Sequence, residues 1–95
     1  MALKEEQFCL EGRVLQGEKI LRLAQVRLDQ KTDEGLVPAL ERALRKLCTC
    51  LDLPLPLWLD KNTKEFARFR QTFFFAEQFT EEVKFSRFQI RLLEE

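Results

Sequence analysis

Leu40, Leu44, Leu47 and Leu51 recur at spacings of four, three and four, with Ala43 in the same stripe and Glu41, Arg42, Arg45 and Lys46 mostly opposite. That period buries one face of an α-helix and leaves the other in water. Pro38 fits the first helical position, where a missing N–H costs nothing. Pro54 and Pro56 bar continuation beyond about Asp52. A one-faced helix must lie on something apolar, so the flanking segments have to supply a sheet or a second helix.

The segment before the helix reads as a β-hairpin over Phe8–Leu28. Phe8, Leu10 and Val14 alternate on one face, with Glu11 and Arg13 on the other. Gln16-Gly17-Glu18-Lys19 is the turn, and Gly at its first central position suits type II′. The return strand changes phase: Ala24, Val26 and Leu28 share one parity, Leu21 and Leu23 the other. Either a bulge lies near Leu23 or the strand is apolar on both faces. In the second case Leu15, Leu21 and Leu23 form an apolar patch on the back of the sheet, a candidate protein interface.

After the helix, Pro54–Phe79 holds the only tryptophan and six of the nine phenylalanines. Leu53–Leu59 reads as an extended crossing over the core. Asn62 followed by Glu65 has capping-box spacing, with Asn62 as the cap. A short helix then places Phe66, Phe69 and Phe73 on one side, although Thr72–Phe75 is equally consistent with a strand, so residues 63–75 stay open between the two. Beyond a polar turn near Thr80–Glu82, Phe88, Ile90 and Leu92 alternate with Arg87, Gln89 and Arg91 as a final strand. The order β-β-α-(helix or strand)-β predicts one α+β domain over residues 1–95, with residues 1–7 frayed and the last strand beside the first and parallel to it. That outline resembles the β-grasp architecture in element order.

Ninety-five residues leave room for one core. The sixteen Lys and Arg balance sixteen Asp and Glu, whereas nucleic-acid binders usually carry a basic excess. The charged start lacks the apolar region of a signal peptide, and no apolar run approaches the ~20 residues of a membrane span. Three cysteines, Cys9, Cys48 and Cys50, read as free thiols. These features predict a cytoplasmic setting and no membrane partner.

Catalysis has little to work with. There is no histidine or tyrosine, and Ser86 is the only serine, which rules out Ser-His-Asp and Cys-His arrangements. Cys48 and Cys50, two apart on a helix, point to nearly opposite sides, and adding Cys9 still leaves structural zinc one ligand short. The three glycines, Gly12, Gly17 and Gly35, form no phosphate loop. No cofactor or metal is implied. An enzyme using one of the thiols as nucleophile would need a depressed pKa.

Two kinds of surface remain. Trp58, behind a Pro-rich segment and beside Lys61, is the residue type of a binding hot spot; the favoured reading is that it seals the end of the core under the Pro54–Pro56 crossing. Lys61, Lys64, Arg68 and Arg70 interleave with phenylalanines, and Lys84, Arg87 and Arg91 extend the stripe, which is the composition of a nucleic-acid surface. The helical spacing of those phenylalanines favours core packing. The leading expectation is a non-enzymatic protein-interaction module binding another protein or a second copy of itself, with nucleic-acid binding as the alternative.

The pattern Pro54-x-Pro56-x-Trp58-Leu59-x-Lys61-Asn62, then Glu65-Phe66, Phe69-Arg70-x-Thr72-Phe73 and Phe79, resembles a signature of small uncharacterised bacterial proteins of the Firmicute type. The likeness covers about residues 36–92. It implies a bacterial cytosolic setting and a self-contained domain, and carries no activity, cofactor or partner with it.

Overall fold

Gly17 has φ +62° while Glu18 stays out of the left-handed region, so the first turn is type II′-like, joining β1 (Phe8–Gln16) to β2 (Lys19–Arg27). The computed structural model describes residues 8–28 and 36–94; the expectations for residues 1–7 and for the polar connection at 30–35 fall outside these. Ser86, the sole serine, ties the turn down: its Oγ accepts from Gly17 N–H and donates to Leu15 O, both at 2.9 Å. Val14 pairs with Arg22 but Leu15 with Ile20, so Leu21 is the extra residue of a bulge. The phase change in the sequence marks this bulge, two residues before the expected position.

The long helix, α1 (Leu36–Leu51), begins two residues ahead of Pro38, which therefore stands in its first turn, where an amide donor is still not needed. Ala39, Leu40, Ala43, Leu47, Cys48 and Leu51 form its buried face. Asp52 adopts φ +59°, and Leu53 N–H donates to Cys48 O at 2.8 Å while Asp52 N–H donates to Thr49 O at 3.2 Å. This is a Schellman stop, reached without glycine. Arg22 of β2 donates to the last carbonyl, Leu51 O.

A second helix, α2 (Asp60–Phe69), is followed without a loop by β3 (Gln71–Phe75), then a single 3-10 turn over Ala76–Gln78, and finally β4 (Arg87–Glu94). Residues 63–75 are thus helix, then strand. The break is Arg70, with φ +59° and its N–H on Phe66 O at 2.8 Å. The proposed one-sided stripe does not survive it: Phe66 is buried, Phe69 is 61% exposed, and Phe73 is on a strand. Asn62 is not the cap either. Leu59 holds that position, and Asn62 sits three residues on with its side chain reaching back.

The four strands form one antiparallel sheet in the order β2-β1-β4-β3. The final strand does lie beside the first, but antiparallel instead of parallel. The reason is β3: once residues 71–75 form a strand, they add one reversal of the chain before β4. The likeness to a β-grasp outline therefore ends at element order.

Leu10, Gly12 and Val14 of β1, Thr72 and Phe74 of β3, and Phe88, Ile90 and Leu92 of β4 share the inner face. Gly12 is needed for closeness rather than for its torsions. A Cβ there would stand 2.7 Å from Leu47 Cδ2, so α1 is seated directly on β1. Both helices lie on this inner side. No described element packs on the other side of the sheet.

Candidate interaction surfaces

Two surfaces collect several of the residues singled out in the sequence. The first is a groove between α1 and the extended crossing at 53–59. Pro56 bridges to Phe79, Leu57 N–H donates to Gln78 O at 2.7 Å, and Gln78 Nε2 donates to Leu57 O at 3.1 Å. Behind the crossing lies a buried polar knot. Asn62, with 0% exposure, donates from Nδ2 to Thr72 Oγ1 at 2.8 Å and Phe73 O at 3.0 Å. Its Oδ1 accepts from Leu59 N–H at 2.9 Å and Gln78 Nε2 at 3.0 Å. Both donors and both lone pairs of the amide are used. Thr72 Oγ1 in turn donates to Glu65 Oε1 at 2.6 Å.

Held this way, the crossing turns several apolar side chains outward: Leu55, Leu57, Trp58 and Leu59 are all exposed. Trp58 is divided between the core and the surface. One side of the indole packs edge-on to Phe66 (centroids 5.9 Å apart) and against Phe74 (5.5 Å), closing the core. Its Nε1 donates to Thr63 Oγ1 at 2.7 Å. The indole is still 38% exposed and lines a groove of about 550 Å³ with Val37, Leu40, Leu44, Leu55 and Pro56. Glu41, Arg45 and Thr63 also line it. The volume lies within the range of sites that accept a compact ligand or the anchor side chains of a partner.

The second surface is the outer face of the sheet. By register it presents Leu23 and Gln25 from β2, Cys9, Glu11, Arg13 and Leu15 from β1, Arg87, Gln89, Arg91 and Leu93 from β4, and Gln71, Phe73 and Phe75 from β3. Of the expected apolar patch, Leu21 and Leu23 are exposed and joined by Ile20. Leu15 is buried, because it lies on an inner strand between Ile20 and Arg87.

The seven basic candidates divide. Arg87 and Arg91 are on the sheet's outer face. Lys64 and Arg68 are on the exposed side of α2, Arg70 is at its end, and Lys84 is in the connection before β4. Lys61 reaches from the first turn of α2 to hold Nζ 4.6 Å above the Phe75 ring. Sequence reasoning missed Arg13, and it missed that Phe73 and Phe75 face outward. The signal for the pair was there in the alternation of Gln71, Phe73 and Phe75 with Thr72 and Phe74.

The thiols are separated. Cys9 and Cys48 are buried, and Cys50 is exposed in a shallow depression with Gln25 and Val26 of β2. Burial pushes the Cys48 thiol from 9.0 up to about 11, the opposite of what a nucleophile needs. In the folded chain the proton is held; once the unfolded thiol begins to ionise, rising pH favours unfolding. The urea midpoint should therefore carry a Cys48 contribution that is intact below pH 9 and lost towards about pH 11, a slope absent from Cys48→Ala. Under native conditions a maleimide should label only Cys50 rapidly. Among the described residues no group of three His, Cys, Asp or Glu could hold a metal ion, and no helix is long and apolar enough to cross a membrane.

Compared with known proteins, the chain matches no family model, no curated protein and no solved structure, so the surfaces must be read from their own geometry.

Proposed function

We propose that this chain is a non-enzymatic protein-interaction module that takes the apolar anchor side chains of a partner protein in the groove beside Trp58. One observation carries the reading: Leu55 and Trp58 are exposed and line the groove with Val37, Leu40 and Leu44, on a segment that buried hydrogen bonds hold in place, and Leu57 and Leu59 are exposed on the same segment outside it. Exposing four large apolar side chains in five residues costs solubility, while a segment already fixed in place loses little entropy when a partner docks. Trp is the residue type most often found at the centre of such contacts. The absence of histidine and the raised Cys48 thiol support a role without catalysis. The likeness of residues 36–92 to small bacterial proteins supports a bacterial cytosolic setting.

Leu55→Asp tests the groove, since its side chain is exposed and the substitution leaves the core intact. From a nuclease-treated lysate of the native host, the wild-type chain should retain a protein that Leu55→Asp retains about ten-fold less, equivalent to ~1.4 kcal/mol. Equal retention by the two chains would sink the reading. Sedimentation in parallel covers self-association: a dimer dispersed by Leu55→Asp would make the partner a second copy.

A further inference from the structure

We infer that the outer face of the sheet binds single-stranded nucleic acid, stacking bases on Phe73 and Phe75 and holding phosphates with Arg13, Arg87, Arg91 and Lys61. The site is separate from the Trp58 groove, which lies on the helical side.

Charge comes first. Of the described residues that register places on this face, Glu11 alone carries a carboxylate, and it is 6% exposed. Arg13 Nε lies 3.1 Å and Arg91 Nη1 3.6 Å from its Oε1, and Gln25 Nε2 donates to Oε2 at 3.2 Å. One buried carboxylate shared by two arginines leaves the pair net positive, and Arg87 adds to it. Such a face attracts an anion.

The rings narrow the choice of anion. Phe73 and Phe75 stack with each other at 6.4 Å between centroids and 28° between planes, side by side on one strand. Each also has a cation above it, Arg87 at 5.1 Å from Phe73 and Lys61 at 4.6 Å from Phe75. Phe75 is exposed and Phe73 partly so, and a cation over such a ring is a weaker contact than a stacked base. An incoming base therefore displaces the cation, which swings to the adjoining phosphate. Arg87 loses little by moving, because its Nε is shut off from solvent and has no hydrogen-bond partner among the described residues. Gln71 and Gln89, paired at 3.3 Å beside Phe73, bring amides that can meet base edges. Duplexes hide their bases from a face of this kind, so the geometry selects unpaired strands. An acidic peptide would satisfy the arginines but leave the two rings unused.

Anisotropy of labelled oligo-dT and oligo-U, with an unlabelled duplex and polyglutamate as competitors, tests this on the full chain. Single strands should bind at least about ten-fold tighter than the duplex or polyglutamate. With three to four phosphates contacted, affinity should fall roughly twenty- to fifty-fold from about 50 to about 200 mM salt. Phe75→Ala should weaken binding about ten-fold with the salt slope unchanged, whereas Arg87→Gln should lower the slope by about 0.7. Leu55→Asp should have no effect, which keeps this result independent of the groove. Polyglutamate competing as well as single strands, or Phe75→Ala binding as tightly as wild type while its melting temperature is unchanged, would overturn the proposal.

Discussion

Replacing Asn62 by alanine should cost about 3–5 kcal/mol, a large share of the ~5–14 kcal/mol expected for a domain of this length. The amide makes four hydrogen bonds inside the protein, and its partners do not lose equally. Thr72 still donates to Glu65, and Gln78 Nε2 still donates to Leu57 O. Leu59 N–H and Phe73 C=O lose the side-chain partner that Asn62 gives them, and each buried group left unsatisfied costs about 1–3 kcal/mol. Urea denaturation should show a lower midpoint with the slope unchanged. Trp58 is the only tryptophan, so its emission should shift to the red as the crossing loosens. Asn62→Asp should do no better at neutral pH: it keeps the acceptors, loses both donors and buries a charge. A loss below about 1 kcal/mol would mean that water replaces the amide and that the knot does not hold the crossing.

The same residue shows where sequence reading succeeds and where it stops. The leucine stripe of α1 and the glycine of the first turn are local signals, and each fixes its own element: periodicity dictates the buried face, and a positive φ dictates Gly17. Arg70 gives no such signal. Nothing in an arginine announces a left-handed residue, so the helical spacing of Phe66, Phe69 and Phe73 runs straight through the point where the helix ends. Missing that break hid β3 as a certain strand, and with it the antiparallel direction of β4 and the outward turn of Phe73 and Phe75. The role of Asn62 was out of reach for a related reason, since its partners at Thr72, Phe73 and Gln78 belong to elements that only tertiary structure brings together. Trp58 was legible as a residue with two possible uses, because an indole can be half core and half surface. Leu15 and Leu21 could not be told apart. Their exposure depends on which strand is at the sheet's edge, and strand order is not a local property.

Phe88→Ala should be as damaging as the loss of Asn62, at about 3–5 kcal/mol. The ring is fully buried, stacks on Phe74 at 6.0 Å, and fills the space where β1, β4 and α1 meet. Calorimetry on Phe88→Ala and Phe88→Leu should separate the two: leucine recovers most of the loss, because it refills most of the volume. The contact with Gly12 makes a sharper test. A methyl at Gly12 would come within 2.9 Å of Phe88 Cε1 and 2.7 Å of Leu47 Cδ2, so Gly12→Ala alone should cost about 1–3 kcal/mol in overpacking. In the Phe88→Leu background one of those two clashes is gone. The double variant should then be more stable than the sum of the single losses by about 0.5–1.5 kcal/mol. Strict additivity would mean that Leu47 alone sets the height of α1 over the sheet. Coupling of the expected sign would show that the bare backbone of β1 at Gly12 and the Phe88 ring together set how closely the helix can lie.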